Sequence, residues 1–148
     1  MFLDTNIVVD ALRRFPPAVA YLETAEQQGT LSLSTPSQME LIIGCRNRAE
    51  VRRLREFLER FEICSLSATI GEIAVALIYQ YRLSHGLLLA DALIAATALE
   101  YKETLYTKNV RHFRMIPALT VVRPYYKPSA EGSFCSRRSP LSLAYPHG

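Results

Sequence analysis

The chain has 148 residues, 49% of them apolar and 21% charged, with a formal net charge of +3 and a pI near 8.9. That is enough chain for one globular domain with a sizeable core; it excludes a low-complexity polypeptide, and the mild basicity suits a polyanionic partner without requiring one. Cys45, Cys64 and Cys135 are far apart with no C-x-x-C pair, which excludes a disulfide frame or zinc knuckle and points to reduced thiols in the cytoplasm.

"MFLDTNIVVD" has an acid at position 4 and no basic leader, unlike a secretory signal, and no apolar run reaches the ~18 residues of a membrane span. Phe2-Leu3 is a short strand. "NIVVDALRR" predicts a helix with Ile7, Val8 and Leu12 inward, and "PPAVAYLETAEQQG" a second helix, with prolines at its start and Gly29 past its end. "TLSLST" alternates as a strand does. "PSQMELIIGC" predicts a helix closed by Gly44, with Thr35 as N-cap, Pro36 at the first position and Gln38 as reciprocal partner. "AEVRRLREFLERF" predicts a helix with Val51, Leu54, Phe57, Leu58 and Phe61 on one face. "EICSL" follows as a strand, "ATIGEIAVALIYQYRLS" as a long helix stopped by Gly86, and "LADALIAATALEYK" as another helix. "TLYT" and "LTVVRP" are the last strands. Strands alternating with helices predict a three-layer α/β domain on a mostly parallel sheet, a class that binds ligands beyond the carboxyl ends of its strands. The domain is expected to end near Tyr126. Residues 127–148, of which ten of 22 are Ser, Pro or Gly, read as a disordered extension.

Most acidic residues have ordinary surface explanations. Glu56 falls four residues from Arg52 and Arg60, Glu59 four from Arg55, and Asp10 three and four from Arg13 and Arg14. Three do not. Asp4 ends the first strand, Glu40 lies in the apolar "MELII", and Asp91 lies in "LLLADALIAA". Asp4 as a helix cap and Asp91 as a first-turn acid remain open alternatives. Jointly, all three fall where strand ends and helix starts converge in a parallel α/β sheet. Three carboxylates in one pocket repel unless a cation joins them, and oxygen ligands without a His or Cys cluster suit Mg²⁺ or Mn²⁺.

Four blocks, "FLDTNIVVDAL", "MELIIG", "LADALIAATAL" and "LYTKNVRHF", followed by "LTVVRPY", resemble the PIN-domain nucleases, and most of all the VapC-type toxins of toxin–antitoxin pairs. The resemblance runs from Met1 to about Tyr125. It implies a PIN-like α/β/α fold and a Mg²⁺- or Mn²⁺-dependent endoribonuclease. It also implies a homodimer and a small antitoxin whose tail reaches the acidic site through a basic side chain. The family's acidic positions fall on Asp4, Glu40 and Asp91, and its fourth polar position on Asn109, where many members carry Asp. On this reading Asp4 and Asp91 are the principal metal ligands. Glu40 joins them or orients the attacking water, and Asn109 offers a neutral amide to the metal shell or the phosphate. Thr5, Asn6 and Thr107 are candidate supporting hydrogen-bonders, with turn and cap roles open to them as well. Lys108, Arg111 and His112 are positioned to meet the RNA backbone, with His112 and Phe113 alternatively anchoring their loop. A receiver-type phosphoacceptor would need two adjacent acids after the first strand, where this chain has Thr5 and Asn6 after Asp4. A PIN-like module that only binds RNA or a partner would have no need of all three acids.

Overall fold

The computed structural model describes residues 1–126; the expectation of a disordered extension over 127–148 lies outside the described residues. Five strands, β1 (Phe2–Leu3), β2 (Leu31–Ser34), β3 (Phe61–Cys64), β4 (Leu105–Tyr106) and β5 (Val121–Val122), form one sheet in the order β3-β2-β1-β4-β5. Every pairing is parallel, with Phe2 opposite Ser32 and Leu105, and Leu105 opposite Val121. Parallel neighbours require crossovers, and six helices supply them or follow them: α1 (Thr5–Leu12), α2 (Pro16–Gln28), α3 (Thr35–Ile43), α4 (Arg48–Leu58), α5 (Ala68–His85) and α6 (Leu89–Glu100).

Alternation along the strands divides the core. Leu3, Leu31 and Leu33 face a cluster with Ile7, Val8, Leu22, Leu41, Leu54 and Leu58, contributed by α1 to α4. Phe2 and Leu105 face the other cluster, with Ile70, Leu77, Ile94, Phe113 and Ile116, contributed by α5, α6 and the segment after β4. This is the three-layer α/β/α arrangement the sequence predicts. Both faces are covered, so β1 is apolar at both positions and β2, though it alternates Leu with Ser, is buried throughout. In α6 the alanines 92, 95, 96 and 98 are all buried, which lets the helix lie close on the sheet. α5 stops at Gly86, whose left-handed φ of 72° suits a residue without a Cβ. α5 and α6 also leave Val75, Tyr79, Leu83, Leu88 and Leu89 exposed. Among the described residues no helix is long and apolar enough to cross a membrane.

Several local expectations are corrected. Phe61 belongs to β3, not to the helical face: its ring lies 5.7 Å from Phe57, and the helix ends at Leu58. It sits three and four residues from Leu58 and Phe57, so helical periodicity does not distinguish the two placements. Leu12 is 39% exposed, in the last turn of α1. The cap of α3 is Ser34, whose hydroxyl accepts from the Ser37 backbone N–H at 3.1 Å; Thr35 instead donates to the Cys64 carbonyl at 3.0 Å. Among the described residues the expected pairs of Glu56 and Glu59 do not form, and Arg60 pairs with Glu26.

The chain builds β1 to β3 outward in one direction and then returns to place β4 and β5 on the other side of β1. The boundary between β1 and β4 is therefore the switch point of the sheet, and a crevice at its carboxyl edge is the expected place for a site.

Candidate active site at the switch point of the sheet

Asp4 follows β1 and Thr107 follows β4, so the two meet at that crevice. Asp4 has the extended backbone of an N-cap but makes no side-chain cap bond to α1. Its Oδ2 accepts instead from the Thr107 hydroxyl and from Asn6 Nδ2, each at 2.6 Å. Thr107 also accepts from Asn6 Nδ2 at 3.0 Å and from the Asn109 backbone N–H at 2.9 Å, which uses the full capacity of a hydroxyl. Asn6 Oδ1 accepts from the Lys108 backbone N–H at 3.2 Å. Both amide hydrogens of Asn6 and its carbonyl oxygen thus have partners, and the network fixes its orientation. Thr107 is fully buried and Asp4 is 5% exposed.

Glu40, in α3, is exposed and accepts a short hydrogen bond from the Thr5 hydroxyl at the start of α1. Asp91 lies in the first turn of α6, half-buried, and its Oδ2 is 3.2 Å from His112 Nδ1. His112 stands in the short 3₁₀ turn Val110–His112 after β4, and Phe113 anchors that turn with a fully buried ring.

The electrostatics tie the three acids together. The Asp4 carboxyl is pushed up to about 6, chiefly by burial, with the charges of Asp91 and Glu40 adding to it and the Thr107 hydroxyl opposing. Asp91 is also raised, again chiefly by burial and in part by Glu40, while His112 opposes. All three carboxylates therefore share one field. They do not, however, form a closed ligand set. Among the described residues no three Asp, Glu, His or Cys side chains converge as a metal cluster. Each acid has turned to a neutral or imidazole partner. The donor set still fits a hard divalent cation: charged oxygens, one buried with a raised pKa, and no thiolate or cluster of imidazoles to favour a softer ion.

The sequence-predicted residues separate into two groups. Asp4, Thr5, Asn6, Glu40, Asp91 and Thr107 are brought together, while Asn109 joins through its backbone, its side chain being exposed at the rim. Lys108 is not free to meet RNA, since its Nζ pairs with the buried Asp10. Asp10 is corrected with it. It is no surface acid held by Arg13 and Arg14, because α1 ends at Leu12 and Arg14 turns left-handed (φ 58°). Asp10 also accepts from the Tyr125 hydroxyl at 3.1 Å. The bond between His112 and Asp91 leaves no mark in the sequence, since helical and strand patterns carry no signal for a contact between a helix start and a distant turn.

The chain belongs to the PIN-domain family: the family model for the PIN domain matches residues 1–118. More particularly, it is 37% identical to ribonuclease VapC19 of Mycobacterium tuberculosis over 119 residues, covering 79% of this chain and 94% of that protein. In fold it is similar to a toxin–antitoxin complex from Klebsiella pneumoniae, with a TM-score of 0.68, 32% identity, and coverage of 85% of this chain and 98% of that one. It is likewise similar to VapBC2 of Rickettsia felis, solved bound to a DNA fragment from its promoter, with a TM-score of 0.70, 30% identity, and coverage of 82% and 96%.

Proposed function

We propose that the protein is a divalent-metal-dependent endoribonuclease, the toxin of a toxin–antitoxin pair, acting on RNA in the cytoplasm. The observation that carries this reading is a buried Asp4 at the sheet switch point, its carboxyl pushed up to about 6 and flanked by Asp91 and Glu40. Kinship with ribonuclease VapC19 supplies the substrate class, and likeness to solved toxin–antitoxin complexes supplies the partner class. A small antitoxin that lodges an Arg among the three carboxylates would neutralise them in the metal's place.

Asp4, Asp91 and Glu40 are the residues that would hold Mg²⁺ or Mn²⁺. The bound ion supplies an activated water and offsets charge on the phosphodiester. The protein's own contribution is orientation. Thr107 and Asn6 fix the Asp4 carboxylate, His112 steadies Asp91, and Thr5 holds Glu40 at the mouth, where it is placed to join the metal or to align the attacking water. The Asn109 amide at the rim is placed to donate to the phosphate. What supports a homodimer is the exposed apolar face of α5 and α6, since such patches mark association surfaces.

The test is incubation with total cellular RNA, with Mg²⁺ and with chelator, for wild type and Asp91→Asn. Cleavage should appear only for wild type with Mg²⁺. The melting temperature of wild type should also rise with Mg²⁺, by binding to the folded state alone, and that of Asp91→Asn should not. RNA binding without Mg²⁺-dependent cleavage would identify a binding module instead.

A further inference from the structure

Beside Asp91 a pocket of about 610 Å³ opens between the α5–α6 junction and the segments that follow β4 and β5. Leu87, Leu88 and Met115 supply its apolar wall, and Arg111, Arg114 and Arg123 its charge. β4 and β5 run parallel, so Arg123, just past β5, comes to the same carboxyl edge of the sheet as Asp4, and Arg111, in the 3₁₀ turn after β4, lines the same pocket. All three arginines are exposed, and among the described residues none pairs with a carboxylate, whereas Arg46 pairs with Glu50 and Arg60 with Glu26. The Arg123 guanidinium is stacked over the Tyr126 ring at 5.2 Å, which limits its freedom. Three guanidinium groups lining one pocket leave it with positive charge that is not offset, since Asp91, the acid that shares the pocket, is already opposite His112. An anion offsets that charge, and planar guanidinium groups suit phosphate oxygens.

We infer that this pocket is a phosphate-binding subsite for the RNA backbone next to the bond being cut, with Arg114 and Arg123 as its new members beside Arg111. The inference rests on the ribonuclease reading and extends it: the backbone would run from the acidic crevice along the segment after β4 toward β5. Lys108, despite its place in the chain, takes no part, since it is committed to Asp10. The contacts address phosphate, so they set affinity and register and not base choice.

The experiment measures binding of a short single-stranded RNA of randomised sequence to the full chain, in chelator to prevent cleavage, across a range of KCl concentrations. Arg114→Gln and Arg123→Gln should each weaken binding about fivefold at low salt and reduce the slope of log affinity against log salt by about 0.7. In Mg²⁺ they should raise KM for cleavage with kcat held. Arg114→Lys and Arg123→Lys should keep the slope, and Arg52→Gln on α4 should change nothing. Both arginines are exposed, so melting temperatures should match wild type, which separates lost charge from lost folding. A double Gln variant with the wild-type slope and KM would overturn the subsite while leaving the ribonuclease reading in place. So would inorganic phosphate that stabilises wild type but fails to compete with RNA. A wild type that neither binds nor cuts RNA would overturn the ribonuclease reading itself.

Discussion

At the scale of single residues, Asp4 makes the metal-free protein sensitive to pH. Its carboxyl rises from 3.8 to about 6, so the folded state holds the proton more tightly than the unfolded chain does. Stability from this group is therefore complete below about pH 4, falls as the pH rises through 6, and is gone above it. A shift of roughly two units corresponds to a loss on the order of 3 kcal/mol by pH 7. Asp91, raised as well, pushes in the same direction. In chelator, urea unfolding between pH 4 and 7 should show this decline in wild type, and a much shallower one in Asp4→Asn, whose amide still accepts from Thr107. Added Mg²⁺ should restore wild type near neutral pH and leave the variant unchanged. An equal pH slope in both proteins would remove Asp4 as the strained group.

At the scale of elements, one ion pair joins α1 to the segment after β4. Asp10 is buried and Lys108 largely so, and Tyr125 closes the third side. Lys108→Met leaves a buried carboxylate with a single hydroxyl partner. The expected cost is about 2 kcal/mol, below the range for fully buried pairs because some solvent still reaches this one. Adding Asp10→Asn removes the stranded charge and should recover about half of that loss in a double-mutant cycle. If Lys108→Met unfolds at the wild-type urea concentration, the pair is ornamental. Asp10 also shows how far the sequence could be read. Strand and helix identities followed from periodicity and from Pro and Gly punctuation, and Asp4, Glu40 and Asp91 stood out because apolar surroundings gave them no local partner. Asp10 did not stand out, because two arginines sat at helical spacing from it. Only the early end of α1 and the left-handed Arg14 cancel that local explanation, and neither leaves a mark in composition. The same holds for Phe61, which satisfies helical spacing and strand burial equally well. The contact of His112 with Asp91 depends on a turn whose path is set by burial of Phe113, a tertiary fact.

At the scale of the whole molecule, the boundary proposed near Tyr126 has a sharp test. Tyr125 bonds Asp10 and packs at 5.9 Å from the Phe15 ring and 6.1 Å from that of Tyr21. A chain ending at Lys127 should melt with the full chain. One ending at Pro124 loses those aromatic contacts and the hydroxyl, worth on the order of 2 kcal/mol together, and should melt several degrees lower. Equal melting of all three would move the boundary inward, and a fall on removing residues 128–148 alone would move it outward.

The placement of β1 at the centre of the sheet has a consequence for biosynthesis. The bond from Thr107 to Asp4 joins positions 103 apart, and that from Lys108 to Asn6 joins positions 102 apart. At translation rates of roughly 5–20 residues per second, about 5–20 seconds separate the synthesis of the two halves of this network. For most of that interval Asp91 is absent, and for all of it Thr107 and the turn that carries His112 are absent. A chain still attached to its ribosome before β4 emerges has half of the proposed centre, and so does any fragment released early. On the proposed assignment of the site, the messenger being read should stay out of reach of its own product until the protein is nearly finished.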